Sequence, residues 1–314
     1  MDKMQAAVVD PRAPGHLALK SVDAPSPGSN QALVRVAATS LNLGEVHMAQ
    51  SAQEGAVLGW DVAGTIEQAA ADGSGPRQGS RVVGVVRSGA WAELVAVPAD
   101  ALAQLPEGVS FVQAATLPVA GLTALLAVER GTGLLARKVL VTGASGGVGH
   151  FACQLARLSG AYVVGLVRHP KKEGIVREAG ADQVVVSEDA SAAAQLGPYR
   201  LVVEAVGGKV LAQSLGMLGP DGVCVSIGVI GGMEITVDLR AMGRAPRSSL
   251  YKMLVFTEVA REPASQGLAR LALLVVEGRV KPHIDVEDSW SRIGQVAEDL
   301  FQRRISGKAV LNMR

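Results

Sequence analysis

The sequence predicts an α/β protein built in two parts, a β-rich domain and a doubly wound parallel sheet. Short strand-like runs broken by Pro, Gly, Ser and Asp clusters fill the chain from Met4 to about Pro106. A strand, a glycine-rich turn, a helix and a second strand follow one another from Lys138 to Val167. Strand and helix patterns then alternate as far as Ile227, and such alternation marks parallel βαβ units because each crossover helix returns the chain for the next parallel strand.

In the first part, strands are expected at 6–9, 17–21, 32–38, 62–68, 81–86 and 91–97. Ser40–Met48 reads as a loop opening a short helix, Gly59–Gly64 as a loop leading back into a strand, and Ala69–Gly79 as a solvated turn. Between Ser110 and Arg130 the apolar spacing of Phe111, Ala114, Leu117, Leu122, Leu125 and Leu126 predicts two helical pieces interrupted at Pro118 and Gly121, crossing between domains.

Lys138-Val-Leu-Val-Thr142 is short, apolar and β-branched, as a central parallel strand should be, and it stops at glycine. In Ala144-x-Gly146-x-x-Gly149 the glycines allow a tight turn and close approach to a pyrophosphate, which the following helix would bind at its N-terminal N–H groups. The helix 150–159 places Phe151, Leu155 and Leu158 on one face and is capped by Gly160. Further strands are expected at 162–167, 183–186, 200–205 and 222–227, with helices at 171–179, 190–195 and 210–217. The tail reads as a helix 267–277, a strand 282–286, a helix 293–303 and a closing strand 307–311, returning to the first domain.

Composition narrows the function classes. At 314 residues the chain accommodates two domains, and a net charge of +1 without a basic run interleaved with aromatics argues against nucleic acid as a partner. Cys153 on an apolar helix and Cys224 in a strand-like run fall outside any metal-ligand spacing and read as core thiols. No signal-peptide pattern and no bilayer-spanning apolar segment are present, so a cytoplasmic protein with no membrane partner is expected.

Several motifs in order, Gly59-Trp-Asp-Val-Ala-Gly64, Leu117-Pro-Val-Ala-Gly-Leu-Thr-Ala124, Ala144-Ser-Gly-Gly-Val-Gly149, Val203-Glu-Ala-Val-Gly-Gly208, Gly219–Gly228 and Ser306-Gly-Lys-Ala-Val-Leu311, give the chain its likeness to a known family. It resembles the medium-chain dehydrogenase/reductase superfamily, and within it the zinc-independent quinone oxidoreductases. That resemblance implies a GroES-like catalytic domain (1–113 with 252–314) and a Rossmann domain (114–251), NADPH and substrate in the cleft between them, and a homodimer.

A catalytic zinc needs three Cys, His, Asp or Glu ligands and an open position. Ser40 stands near where zinc-dependent relatives carry cysteine, and Gly59-Trp60-Asp61 stands where they carry Gly-His-Glu. The spacing of Glu45, His47 and Asp61 matches no metal pattern, so no metal is expected. After Val167 come Arg168, His169, Lys171 and Lys172 instead of an acid for a ribose 2′-hydroxyl, which favours a 2′-phosphate and hence NADPH over a merely solvated basic helix start. The resemblance places Lys172 where a phosphate-binding lysine occurs and Ser187 where a tyrosine partners it. It carries Thr123, Ser145, Gly146, Gly147, Val148, Val206 and Gly228 over as cofactor contacts.

Asn42 matches an asparagine near the nicotinamide and substrate; it would bind the acceptor carbonyl or the cofactor ribose, or else bond to its own backbone as a turn residue. His47 would either supply a proton or line the pocket, and Trp60 would wall the substrate. Asp61 reads as a brace for its loop rather than a base, and Thr123 as a cofactor contact or a plain helix cap. The expected function is metal-free hydride transfer from NADPH to a quinone or an α,β-unsaturated carbonyl compound. The alternatives are an enoyl reductase of a polyketide-like pathway and a non-catalytic, crystallin-like or regulatory NADPH-binding protein.

Overall fold

The computed structural model describes residues 3–243 and 245–313. The chain forms two compact units, Met1–Leu122 with Val259–Arg314, and Thr123–Glu258. Both joins lie later in the chain than the expected divisions at 113/114 and 251/252. The first is displaced because the Val119 N–H donates to Asp61 of the β-rich unit at 2.9 Å. The second is displaced because Glu258 accepts from Tyr251 at 2.7 Å and pairs with Arg130, both in the other unit.

The Thr123–Glu258 unit holds six parallel strands: β1 Lys138–Val141, β2 Tyr162–Val167, β3 Gln183–Val186, β4 Tyr199–Glu204, β5 Leu218–Ser226 and β6 Ser249–Lys252. Their order is β3-β2-β1-β4-β5-β6, the doubly wound arrangement. The sheet grows outward from β1 to β3, then the chain crosses back and grows the other way from β4. A switch point therefore lies between β1 and β4. Val139, Leu140 and Val141 are fully buried, as a strand covered on both faces requires. The sequence reading stopped at the fifth strand, because β6 is a short edge strand whose residues are exposed or half-exposed and carry no apolar run.

Helix α1, Gly147–Leu158, begins three residues before the expected 150 and ends at Gly160, whose φ of +79° supplies the left-handed cap. Phe151 and Leu155 are buried as expected, but Leu158 is 39% exposed. The inward stripe is centred on the small residues Gly149, Ala152, Cys153 and Ala156, leaving Leu158 on its flank. Cys153 and Cys224 are free and buried. Burial pushes the Cys153 thiol up to about 12.

The other unit is built on strand Gln31–Leu41, which pairs antiparallel with Asp61–Gln68, Leu94–Pro98 and the C-terminal strand Lys308–Asn312. Ile284–Ser289, Arg81–Val85 and Leu102–Gln104 complete this sheet, and Lys3–Val9 pairs with Leu17–Asp23 as a separate ribbon. The expected strand at 91–97 starts only at Leu94, after the fully buried Trp91, and Leu102–Gln104 was too short to read from sequence. Between Leu117 and Glu129 the helix is continuous rather than interrupted. Pro118 lies in its first turn, where a missing N–H is harmless, and Leu117–Gly121 forms a π-type turn that absorbs the local change in winding. Among the described residues no helix is long and apolar enough to cross a membrane.

Truncating the two expected core leucine and phenylalanine positions of α1 checks the stripe. Phe151→Ala should lower stability in urea unfolding by about 3–5 kcal/mol, whereas Leu158→Ala should change it by less than about 0.5 kcal/mol.

Candidate functional site

The glycine turn in the Thr123–Glu258 unit has the geometry its sequence requires. Gly143 adopts φ +57°, and a Cβ at Gly149 would collide with the Gly143 carbonyl oxygen, so neither position accommodates an ordinary side chain without strain. Gly146 is the N-cap of α1, and the first intrahelical bond runs from the His150 N–H to the Gly146 carbonyl at 2.9 Å. The N–H groups of Gly147, Val148 and Gly149 thus precede the helix's own bonding pattern and stand at its positive end, as an anion site requires. Ser145, Gly146, Gly147 and Val148 are half-buried along this turn.

At the carboxyl end of β2, Arg168 and His169 are exposed and Lys172 is half-buried in the short helix that follows. The Ser187 N–H donates to the Val167 carbonyl at 3.0 Å, so Ser187 stands beside this strand end, with its hydroxyl on Asp189 at 3.2 Å. Across the switch point, the Val206 carbonyl accepts from Gly231 at 2.6 Å, and a Cβ at Gly228 would collide with the Ala205 carbonyl. Glycine at 228 is therefore a requirement of two backbones laid together. Thr123 is buried inside the continuous helix, which removes the helix-cap reading.

In the β-rich unit, a buried polar cluster surrounds Asn42. Asp61 is fully buried; its Oδ2 accepts from the Ser40 hydroxyl, from Asn42 Nδ2 at 2.8 Å and from Lys308 Nζ at 3.4 Å, and its Oδ1 accepts from the Val119 N–H. Asp61 is a brace, as expected. Lys308 Nζ also donates to Asn42 Oδ1 at 2.5 Å and to the Leu41 carbonyl at 3.1 Å. The register that pairs Ala309 with Leu41 delivers the ammonium to this place. Glu45 Oε1 accepts from the Asn42 backbone N–H at 2.7 Å and from Asn42 Nδ2 at 3.1 Å.

The amide of Asn42 has one orientation compatible with these neighbours. Turning it over would aim its oxygen at two carboxyl groups and its nitrogen at an ammonium. Both amide hydrogens are consumed by Asp61 and Glu45, and the oxygen accepts from Lys308 Nζ. Asn42 also forms a capping box with Glu45 at the start of helix Leu43–Ala49, the local backbone role of the turn-residue reading, and it has no N–H left for an acceptor carbonyl.

Glu45 is fully buried, and burial raises its carboxyl well above the ordinary 4.5, with the Asp61 charge adding to the rise and Lys308 and the Asn42 bonds opposing it. Asp61 and Lys308 form the ion pair of this cluster. His47 is exposed on helix Leu43–Ala49, two residues and thus about 200° around from Glu45, with its ring 4.9 Å from that of Phe301. The fold does not bring His47 to the Asn42 cluster. Trp60 packs its indole against Gly44, where an added Cβ would lie 3.0 Å from Cη2.

Sequence reasoning assigned no role to Lys308 or Glu45 at this site. A lone lysine in the otherwise apolar Lys308-Ala-Val-Leu run was the available signal, since a buried ammonium needs acceptors. The donor set does not fit a catalytic zinc: Ser40 is committed to Asp61, Trp60 offers no ligand atom, and no cluster of three His, Cys, Asp or Glu side chains that could hold a metal occurs among the described residues.

A β-rich unit with a Lys308–Asn312 closing strand and a doubly wound unit with a glycine cradle define an oxidoreductase of the NAD(P)-linked kind. Comparison agrees: residues 28–107 match the alcohol dehydrogenase GroES-like domain and residues 147–269 match the zinc-binding dehydrogenase family. The chain is 30% identical over 309 residues to the chloroplast envelope quinone oxidoreductase homolog of Arabidopsis thaliana, covering 92% of this chain and 90% of that protein. It is also 30% identical over 306 residues to the pikromycin polyketide synthase component PikAII of Streptomyces venezuelae, covering 92% of this chain but 8% of that protein. Among solved structures, a mycobacterial protein in complex with NADPH superposes with a TM-score of 0.88 at 25% identity, covering 98% of this chain and 99% of that one. The chain belongs to the medium-chain dehydrogenase/reductase superfamily, in its quinone oxidoreductase-like branch.

The raised Glu45 carboxyl makes stability pH-dependent. A folded carboxyl raised above its unfolded value binds more protons folded than unfolded, so its stabilising contribution is present below about 4.5 and lost as pH rises toward the folded value. Glu45→Gln, which mimics the protonated form, should flatten the fall in urea midpoint above that pH; an unchanged slope would show Glu45 ionised in the fold.

Proposed function

We propose that this protein is an NADPH-dependent reductase that passes hydride, without a metal, to a quinone or an α,β-unsaturated carbonyl acceptor. The observation that carries the cofactor part is Arg168, exposed and without an ion-pair partner among the described residues, at the strand end where an acid would select NAD. Bound NADPH supplies the hydride. The backbone N–H groups at Gly147 and Val148 hold the pyrophosphate, and Arg168 with Lys172 pairs the 2′-phosphate. Val206, Gly228 and Thr123 are assigned to the nicotinamide half. Asn42, held by Asp61, Glu45 and Lys308, is assigned to the acceptor side in this reading. The metal-free part is supported by the missing zinc donor set, and hydride transfer requires only placement and charge stabilisation. His47, exposed and turned toward Phe301, takes no part in the hydride step in this reading, and water supplies the proton.

The likeness to PikAII favours one second reading, an enoyl reductase acting on an acyl thioester. A panel of quinones, enones and a crotonyl thioester, followed by loss of reduced-nicotinamide absorbance, separates the two. Cofactor binding with no turnover on any acceptor would instead support a binding protein. We assign a homodimer to the edge of the parallel sheet, because β6 is an unpaired edge there and Leu250 and Leu254 beside it are 43% and 58% exposed.

Steady-state kinetics test the cofactor assignment. The kcat/KM for NADPH should exceed that for NADH, and Arg168→Ala should lower the NADPH value about tenfold, the worth of a charge-assisted pair, while leaving NADH unchanged. Equal effects on both cofactors would remove Arg168 from the 2′-phosphate site.

A further inference from the structure

A second buried carboxyl, in the parallel-sheet unit, takes no part in the hydride reaction proposed above. Glu204 ends β4 with no exposed surface. Its Oε1 accepts from the Thr142 hydroxyl at 3.1 Å, the Val206 N–H at 2.8 Å and the Gly207 N–H at 3.0 Å, and Oε2 shares that Gly207 N–H at 3.0 Å. The Thr142 hydroxyl accepts from the Ala205 N–H at 2.9 Å. Three consecutive backbone N–H groups are thus turned inward onto two side chains.

Those side chains stand at the ends of β1 and β4, the adjacent strands between which the sheet order reverses. A dinucleotide crevice opens at that point in sheets of this kind. One wall of it is the glycine turn that follows Thr142, and the other is the segment that follows Glu204. The second wall is made of backbone laid on backbone. Gly207 and Gly208 take φ of +85° and +53°, the Gly208 N–H donates to the Gly232 carbonyl at 3.1 Å, and Gly231 donates to Val206. With so little side-chain bulk, the wall is held from beneath by Glu204 and Thr142.

We propose that Glu204, as the carboxylate, is a positioning residue that sets dinucleotide affinity by holding Ala205–Gly208 in its binding form. The proposal rests on the dinucleotide reading of this unit. N–H bonds to a charged acceptor are roughly twice as strong as those to a neutral one. A proton on Glu204 would weaken all of them and aim an O–H at the Gly207 N–H. Burial raises this carboxyl above its ordinary 4.5, opposed by the bonds from Gly207, Val206 and Thr142 and by the charge of Lys252 at the end of β6. The other titratable neighbour is Cys224 on β5, whose thiol is pushed up by burial and by Glu204 and so stays neutral. Affinity should therefore fall as pH drops toward the Glu204 titration, which lies above 4.5.

The test is the dissociation constant of NADP⁺, stable in acid, measured by calorimetry from pH 5 to 8 for the full-length wild type and Glu204→Gln. The ratio of the two constants cancels every other titrating group, including the 2′-phosphate. It should be about tenfold at pH 8, as the charged bonds are worth, and fall as pH is lowered and the wild-type carboxyl takes up its proton. A ratio that stays constant across pH, at one or at any other value, overturns the proposal, because a purely structural defect would not track the proton. Thr142→Val, which removes the bridging hydroxyl and keeps the carboxylate, should weaken binding about threefold and serves if the glutamine variant does not fold; no loss in it would also overturn the proposal. Failure of the wild type to bind any dinucleotide would overturn the cofactor reading and this proposal together, whereas wild-type binding with a flat ratio sinks only the proposal.

Discussion

The buried pair of Asp61 and Lys308 is the interaction on which the candidate site in the β-rich unit depends. The two side chains are 0% and 3% exposed, so neither charge can turn to water, and each must find its partners inside the fold. Asp61 does so by collecting Ser40, Asn42, the Val119 N–H and Lys308, which ties strand Gln31–Leu41, the start of helix Leu43–Ala49, the Leu117–Gly121 turn and the C-terminal strand to one carboxylate. The orientation of the Asn42 amide follows from this arrangement. The placement of the Asn42 amide is the by-product of satisfying a buried charge.

Each unit buries a further carboxyl, and burial raises both. Glu45 lies beside another carboxylate and one Oε has no partner, so burial and the Asp61 charge raise it well above its ordinary range. Glu204 is surrounded by N–H and O–H donors, which stabilise its anion against the same desolvation. The difference in their partners is set by which backbone groups face each carboxyl.

Much of this was legible in the sequence where local pattern and local structure coincide. The run from Lys138 through the glycines to Val167 needs only neighbouring residues to define it, and its strand, turn, helix and strand were readable in order. Asp61 as a brace was also readable, from what hydride chemistry does not require. What stayed hidden was set by distant register or by packing. Lys308 reaches Asn42 across 266 residues, and only the pairing of Ala309 with Leu41 reveals that contact. Leu158 fits the helical spacing of Phe151 and Leu155, yet the small residues of α1 let the helix settle on a different face. The exposed placement of His47 likewise depends on which turn of its helix meets the core.

A double-mutant cycle in urea unfolding at neutral pH tests the central claim most directly. Asp61→Asn and Lys308→Met should each cost about 3–5 kcal/mol, because either leaves a buried group uncompensated. The double variant should cost less than the sum of the two by about 2 kcal/mol or more. Additivity within about 0.5 kcal/mol would contradict the account, since it would mean that the two charges do not depend on one another and that nothing fixes Asn42 between them.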